Sequence, residues 1–348
     1  MTERAAHPQT APISLGAGFA LPHQDTVFTE RMQHSLEEIE GRLYDAVAQT
    51  DRFADRASKH LIEAGGKRVR PMLVLLAAHL GDPTRPEVID AAVVVELTHL
   101  ATLYHDDVMD SAPMRRGAPA AHELWGNNVA ILTGDLLFAR ASNVVAGLGP
   151  DAVRLQALTF ERLCLGQLNE SLGPREGEDP VAHYIQVLAD KTGSLIATAG
   201  RFGARYSGAS EEYLDVVAEY GEKVGVAFQL ADDVIDLTSD GSVSGKTPGT
   251  DLREHVPTLP ALYARQDAAR NGDQESLELV GLLDSDLTDD ADLTRAREAL
   301  VAHPATARAS AEAHRWADEA ITALAPLPAG VAKDSLVTFA ETVVARKV

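Results

Sequence analysis

The chain has 348 residues, of which 52 are acidic and 31 basic, and its formal net charge is −21. Such a charge repels nucleic acid and anionic lipid surfaces at long range, so no nucleic-acid partner is expected. Hydrophobic residues make up 45% of the sequence. No run approaches the roughly 18 consecutive apolar residues of a membrane span, which indicates a soluble globular protein.

The N-terminus and the single cysteine give further expectations. Residues 13–21 form a short apolar run that glycine interrupts and that no strong basic region precedes. We therefore expect residues 1–25 to be a mobile tail rather than a signal peptide, and residues 26–348 to form one domain. Cys164 is the only cysteine, which excludes an intrachain disulfide and fits a reducing cytoplasm. Its apolar neighbours favour a small core residue.

Apolar residues recur with a helical period along most of the chain. The pattern predicts helices over 71–80, 88–110, 129–147, 151–171, 181–206, 211–237 and 306–324. Alternating β-type runs bounded by hairpin turns are absent from the sequence, so the predicted fold class is all-α. The acidic segment 266–292 does not match a calcium loop, because Asp289 and Arg295 stand where Gly and Glu are needed. It is predicted to be a solvated turn.

A basic cluster precedes the first predicted helix. Residues 65–71 read GGKRVRP, and Pro71 suits a first helical turn because its missing N–H is not needed there. A glycine pair with three cations at a helix N-terminus can bind an anion. The alternative is a basic glycine turn without a ligand.

One acidic pattern occurs twice, each time at the polar end of an apolar helical run. It reads DDVMD at 106–110 and DDVID at 232–236. Residues four apart share a helix face, so Asp106 points with Asp110, and Asp232 points with Asp236. Clustered carboxylates need a neutralising partner, and magnesium prefers such oxygen ligands together with substrate phosphates. The two motifs therefore predict a magnesium-bound diphosphate between them.

Polar residues flank the first acidic motif. His99, Thr102, Asp106 and Asp110 fall within about 40° of one line along the helix. His99 can be a satisfied core histidine or a ligand, and both interpretations stay open; His105 lies off the line and is expected to be structural. Arg115 and Arg116 follow the motif, where guanidinium groups could bind diphosphate oxygens.

The second motif also has polar neighbours. Gln229 precedes Asp232 by three residues, and Lys246 lies in a glycine-containing loop. This loop is one residue short of a P-loop and follows a helix, which argues against a nucleoside triphosphate site. Lys191 and Thr192 lie within a predicted helix, where a solvated face is an equally good interpretation.

These motifs, taken in order, resemble the all-trans isoprenyl diphosphate synthases, also called polyprenyl synthetases. The matching segments are GGKRVRP at 65–71, ELTHLATLYHDDVMD at 96–110, RRGAP at 115–119, GQ at 166–167, KT at 191–192, FQLADDVID at 228–236 and GKTPGTDLRE at 245–254. The resemblance implies a helical bundle around a central cavity, a cytoplasmic homodimer, and magnesium as cofactor. It implies isopentenyl diphosphate and an allylic prenyl diphosphate as substrates, with transient membrane contact for product release.

The resemblance also implies roles for individual residues. The implied metal ligands are Asp106, Asp110 and Asp232, with Asp107, Asp233 and Asp236 completing the clusters. The implied allylic diphosphate ligands are Arg115, Lys191, Gln229 and Lys246, with Thr192 nearby, and those for isopentenyl diphosphate are Lys67, Arg70, His99 and Arg116. The residues expected to act in catalysis are Asp106, Asp110, Asp232, Lys191 and Lys246. Val256 stands where many members have lysine, so allylic diphosphate is expected to bind more weakly or in a different arrangement.

Small residues precede the first acidic motif, and they bear on product length. Ala101 and Thr102 lie where short-chain members often have aromatic rings, and Thr98 below them is also small. An open tunnel there predicts a product of roughly six or more isoprene units, as in a quinone side chain. Alternatively, Phe160 or Leu163 closes the cavity and the product is short. A terpene cyclase and a non-catalytic modulatory subunit are the remaining alternatives.

Overall fold

The computed structural model describes residues 26–239 and 248–346. In chain order its α-helices are Thr26–Val47 (α1), Arg52–Glu63 (α2), Val69–Ala78 (α3), Pro86–Met109 (α4), Ala121–Trp125 (α5), Asn127–Gly147 (α6), Pro150–Leu172 (α7), Pro180–Leu188 (α8), Ser194–Tyr206 (α9), Glu211–Thr238 (α10), Thr250–Arg253 (α11), Leu259–Asn271 (α12), Gln274–Leu283 (α13), Asp290–Ala302 (α14), Pro304–Ala323 (α15) and Val331–Ala345 (α16). A π-helical segment, Ala189–Gly193, joins α8 to α9. A two-residue antiparallel pair, Met114–Arg115 (β1) with Ala118–Pro119 (β2), follows α4.

The all-α prediction is confirmed, and every helix predicted from periodicity is present. One prediction is corrected, because the π-helical segment interrupts the helix expected over 181–206. Residues 266–292 are also not simply a solvated turn, since they include the end of α12 and all of α13. Leu279 and Leu283 of α13 are buried in a small core with α14, which explains why this polar segment is helical. The predicted tail, residues 1–25, lies outside the described residues.

Helix α4 lies at the centre of the main core and positions the first acidic motif. It packs against α3, α6 and α9, while α10 packs against α9 and α15. Close backbone approach makes the α9–α10 contact possible: a Cβ on Gly221 of α10 would lie 2.7 Å from Cα of Ala197 of α9. Because α4 and α10 share α9 as a neighbour, their two acidic ends are held on one scaffold.

Two helices in the described ranges, α4 and α6, are long and apolar enough to cross a membrane by length and composition alone. Helix α4 is 72% buried in its most apolar window, so its composition is that of a core helix. The corresponding window of α6 is only 33% buried. Its exposed apolar residues, Ile131 and Leu132, leave an uncovered surface on the chain.

Helix α7 also has an exposed apolar face. Leu158, Leu165, Leu168 and Leu172 are exposed along it, the last to 78%. Cys164 lies among them and is exposed, so the prediction of a core cysteine is wrong. An apolar sequence context did not distinguish a core-facing position from a surface position on this amphipathic helix.

Candidate active site

The first acidic motif occupies the last turn of α4. Asp106 is partly buried, and Asp110 is the exposed C-cap residue, whose N–H donates to the Asp106 carbonyl at 2.8 Å. Burial raises the pKa of Asp106 to about 6, and the charge of Asp110 acts in the same direction. Lys191 opposes the rise, so this cation lies close enough to stabilise the carboxylate. The site therefore favours a cation that can neutralise both acids.

The middle acid of each motif is turned away and bound by the protein. Asp107 is fully buried and accepts two bonds from Arg115, Nε at 2.6 Å and Nη2 at 2.5 Å. Asp233 is 2% exposed and accepts a 2.7 Å bond from the Tyr184 hydroxyl and a weaker one from the Leu259 N–H at 3.4 Å. Asp107 and Asp233 thus act as internal acceptors here, and their expected place in the metal clusters stays a prediction. These contacts also give Arg115 a buried carboxylate partner at the end of α4.

The second motif has a cation partner from the end of the chain. Arg346 Nη2 lies 3.0 Å from Asp232 Oδ1, and the Arg346 side chain is only 7% exposed. The same guanidinium lies 4.2 Å from the ring centroid of Phe228. Sequence reasoning missed Arg346, because nothing in an isolated arginine after α16 indicates which helix it contacts. Asp236 Oδ2 accepts a 3.3 Å bond from the Asp251 N–H, which ties the motif to α11.

The π-helical segment places Lys191 and Thr192 beside the acidic motifs. Lys191 Nζ lies 2.5 Å from Glu170 Oε2, and Thr192 Oγ1 lies 3.5 Å from Gln229 Oε1. Glu170, on α7, is a second residue that sequence reasoning missed, although it lies one turn after the GQ pair at 166–167. The solvated-face alternative for Lys191 and Thr192 is therefore not supported. Both side chains lie within the group formed by α4, α7 and α10.

A separate cation group lies where the basic loop meets the β1–β2 turn. Arg116 Nη1 donates to the Leu61 carbonyl at 3.1 Å and also to the Gly65 carbonyl. Its guanidinium lies across Gly66, where a Cβ would be 2.7 Å from Cζ, so this glycine (φ +150°) leaves room for it. Lys67 beside it is exposed, and Arg70 Nε is buried without a hydrogen-bond partner among the described residues. The group offers unused donors to an anion.

The pKa values of Arg70, Arg116 and His99 are all lowered, mainly by burial and partly by the charges of neighbouring arginines. Burial, together with the nearby Arg116 charge, lowers the pKa of Arg70 to about 10. Burial likewise lowers the pKa of Arg116. The pKa of His99 falls well below its usual value through burial and through the Arg70 and Arg116 charges. A neutral His99 can donate one hydrogen bond without adding a further buried charge, which is compatible with both the ligand and the core interpretation.

The third cation of the basic loop does not join this group. Arg68 has a left-handed backbone (φ 47°) and its side chain turns into the core. It binds Glu40 with two bonds of 2.8 Å and Glu96 with one of 3.0 Å. The expected anion site of three cations is thus corrected to two, Lys67 and Arg70, joined by Arg116 from another loop. Glu96 also acts electrostatically on Arg70 and Arg116.

The residues expected to set chain length lie further down α4. Thr102 is partly buried and donates to the His99 carbonyl at 2.8 Å, whereas Ala101 is fully buried in the core. Thr98 is buried and accepts a 3.4 Å bond from Gln156 of α7. Ala101 therefore has less access to a growing chain than Thr102. Lys246, the loop cation, lies outside the described residues, and Val256 is partly buried.

Among residues 26–239 and 248–346, no three His, Cys, Asp or Glu side chains converge closely enough to hold a metal ion by themselves. The donors available are hard carboxylate oxygens on two separate helices. This arrangement fits magnesium, which retains water and takes phosphate oxygens in place of a closed protein cage.

Comparison with known proteins identifies the family. Residues 51–300 match polyprenyl synthetase. Over 336 residues the chain is 43% identical to nonaprenyl diphosphate synthase of Mycobacterium tuberculosis, covering 96% of this chain and 98% of that protein. The chain belongs to the polyprenyl synthetase family. As a polyprenyl synthetase it is a prenyltransferase, and the resemblance found in the sequence is confirmed.

Solved polyprenyl synthetase structures share the fold. Geranylgeranyl pyrophosphate synthase from Corynebacterium glutamicum, complexed with calcium and isoprenyl diphosphate, superposes with a TM-score of 0.81 at 41% identity, covering 92% of this chain and 98% of that one. Decaprenyl diphosphate synthase from Rhodobacter capsulatus gives a TM-score of 0.81 at 30% identity, covering 91% and 98%. The relatives thus include both short and long product classes.

Proposed function

We propose that this polyprenyl synthetase uses magnesium to join isopentenyl diphosphate to an allylic prenyl diphosphate, and that it makes a long all-trans product. The observation that carries the proposal is the separation of two groups. One contains the acids of α4 and α10 with Lys191, and the other contains Arg70, Arg116 and His99. Each suits one diphosphate, which is what a two-substrate condensation requires and a cyclase does not.

In this proposal Asp106 and Asp110 face Asp232 and Asp236 across the allylic diphosphate. These carboxylates would hold magnesium, which when bound would supply positive charge to the departing pyrophosphate. Lys191 contacts the same leaving group, so ionisation of the allylic C–O bond occurs beside a fixed cation. The corresponding role of Lys246 rests on the family resemblance alone. Arg70 and Arg116 hold isopentenyl diphosphate with its double bond beside the cation, which makes the attack intramolecular in effect. Pyrophosphate takes the proton lost from the new allylic unit.

The test is the dependence of pyrophosphate release on the second substrate. With farnesyl diphosphate and magnesium, we expect release to require isopentenyl diphosphate and to match its incorporation one to one. Asp232→Asn should abolish both while the protein remains folded by circular dichroism. Pyrophosphate release without isopentenyl diphosphate would instead indicate a cyclase, and no release at all would indicate a modulatory subunit.

The long product is supported by small side chains at Thr98 and Thr102, which precede Asp106 on α4. It is also supported by 43% identity to a nonaprenyl diphosphate synthase over almost the full length of both chains. One observation favours a short product. Phe138 of α6 and Phe160 of α7 stack with centroids 3.9 Å apart, and such a pair can close a tunnel. The geranylgeranyl pyrophosphate synthase of C. glutamicum, at 41% identity, supports this second candidate.

A homodimer completes the proposal. The exposed apolar residues of α6 and α7, including Leu132 at 66% and Leu168 at 57%, form a surface that a second copy would cover. We expect a dimer by light scattering, and a monomer for the variant Leu132→Glu with Leu168→Glu. A wild-type monomer at micromolar concentration would contradict the proposed homodimer.

A cytoplasmic location and the absence of a membrane span are likewise proposed, on the basis of the single cysteine and the burial of α4.

A further inference from the structure

Lys191 is presented by an unusual piece of backbone. The segment Ala189–Gly193 is π-helical, and it interrupts what would otherwise be one helix from α8 to α9. π-Helical turns are rare and are less favourable than continued α-helix, so an interaction must compensate for this one. The segment is short, and it carries both Lys191 and Thr192.

Asp190, the residue before Lys191, connects the π-helical segment to α7 and α8 through its side chain. Asp190 Oδ1 accepts two bonds from Arg162 of α7, from Nε and Nη2, both at 2.8 Å. Asp190 Oδ2 accepts a 2.9 Å bond from Gln186. The Asp190 side chain is 14% exposed, so these bonds are partly shielded from water.

Arg162 extends this contact to a third helix. Its Nη1 lies 2.7 Å from Glu222 Oε2 of α10, so one guanidinium joins α7, the π-helical segment and α10. The carboxylates of Asp190 and Glu222 raise the pKa of Arg162 in spite of its partial burial. The fixed, planar fork of arginine suits a bridge between two carboxylates, which a lysine would not reproduce.

Close packing makes the position of Lys191 depend on this bridge. A Cβ on Gly166 of α7 would lie 2.8 Å from the backbone nitrogen of Lys191, so the two backbones are nearly in contact. On the active-site side Lys191 Nζ pairs with Glu170, also from α7. A shift of the segment relative to α7 would therefore move the ammonium group away from the acids of α4.

We propose that Arg162 and Asp190 are positioning residues that hold the π-helical segment so that Lys191 meets the allylic diphosphate. This inference rests on the proposed function, because it takes Lys191 as a ligand of that diphosphate. Neither residue touches substrate. Their effect passes through Lys191, and it is confined to one of the two substrates.

The chain offers a matched control in the same cleft. Arg201 of α9 pairs with Asp215 of α10, and both line the cleft that also contains Arg162 and Glu222. Arg201→Gln also removes a guanidinium that pairs with a carboxylate of α10, but Arg201 lies well away from Lys191 along α9 and has no contact with the π-helical segment among the ion pairs of the described residues. Loss of stability common to both substitutions can thus be separated from an effect on the site.

The experiment is a double-mutant cycle on steady-state kinetics with farnesyl diphosphate, isopentenyl diphosphate and magnesium. Arg162→Gln and Asp190→Asn should each lower kcat/KM for the allylic substrate roughly tenfold or more, with KM for isopentenyl diphosphate little changed. Arg201→Gln should leave both parameters near wild type. Combined with Lys191→Ala, Arg162→Gln should have little further effect, because the group it positions is already gone.

Three results would overturn the inference: independent, multiplicative effects of Arg162→Gln and Lys191→Ala, equal losses for both substrates, or a loss as large in Arg201→Gln. Calorimetric binding of a non-ionising allylic thiodiphosphate keeps the inference separate from the proposed function. If wild type binds no such analogue and shows no turnover, the proposed function fails. If wild type binds it and Arg162→Gln binds it equally well, the positioning inference alone fails.

Discussion

Asp106→Asn should inactivate the enzyme and stabilise its metal-free fold. The ionised carboxylate is partly buried beside Asp110, and these surroundings raise its pKa from 3.8 to about 6. A shift of about two pKa units corresponds to ~3 kcal/mol at most, and screening will reduce it. Unfolding entropies of about 2 cal/mol/K per residue convert this cost into a rise in melting temperature of roughly 2–4 °C.

The size of this stabilisation depends on pH, and that dependence supplies an internal control. Because the folded pKa of Asp106 lies above its unfolded value, the ionised group costs stability. That cost is fully present above about pH 6 and is lost as pH falls from about 6 towards 3.8, since the folded state then holds the proton. The gain from Asp106→Asn should therefore be largest at pH 7.5 and smaller at pH 5.

The assay is thermal unfolding in EDTA at both pH values, alongside turnover with saturating magnesium. Asp110→Asn is the matched comparison: Asp110 is exposed, so we expect loss of activity with a smaller gain in melting temperature. A lower melting temperature for Asp106→Asn at pH 7.5, or a gain that does not shrink at pH 5, would refute the argument. Near-normal turnover in either variant would refute the metal-binding role.

Three further predictions concern substrates, metal and product. Arg116→Ala and Lys67→Ala should chiefly raise KM for isopentenyl diphosphate, whereas Lys246→Ala should chiefly raise KM for the allylic substrate. Equal effects of each variant on the two KM values would contradict separate cation groups. Arg346→Gln should lower the magnesium concentration for half-maximal activity, because this arginine pairs with a proposed metal ligand at 3.0 Å; a higher requirement would mean that it binds diphosphate instead. Thr102→Phe should shorten the product, as seen by thin-layer chromatography, because a ring would fill the tunnel; an unchanged long product would contradict that tunnel.

Helical periodicity alone placed the outer acids of both motifs on shared faces. Asp106 with Asp110, and Asp232 with Asp236, follow from a period of 3.6 residues and from the apolar runs before them. The sequence of α4 is apolar on almost every side, and this local property agrees with the burial of the helix in the structure. These features are local, so a single sequence contains them.

Features that depend on distant partners could not be predicted. Whether Asp233 faces a metal or the protein depends on Tyr184, which lies on another helix. Arg68 and Arg70 stand in the same basic motif, yet only the left-handed backbone at Arg68 sends its side chain into the core. The apolar pattern around Cys164 shows amphipathicity but not which face the fold leaves uncovered.

The π-helical break before α9 could not be predicted either, because it also depends on packing against distant helices. The apolar spacing over 181–206 is compatible with a continuous α-helix, whereas the π-helical geometry of residues 189–193 occurs where they pack against α7 and α10. Sequence therefore identified Lys191 through its resemblance to a family motif, but not the backbone that presents it or the Arg162 bridge behind it.

Product analysis of the wild-type enzyme is the most direct test of the proposed condensation and of its long product. The purified protein is incubated with radiolabelled isopentenyl diphosphate, farnesyl diphosphate and magnesium, and the dephosphorylated products are separated by reversed-phase chromatography. We expect all-trans chains of roughly six or more isoprene units, because the side chains below the first acidic motif are small. Products that end at geranylgeranyl diphosphate would contradict the long-chain assignment, and the absence of any elongated product would contradict the condensation itself.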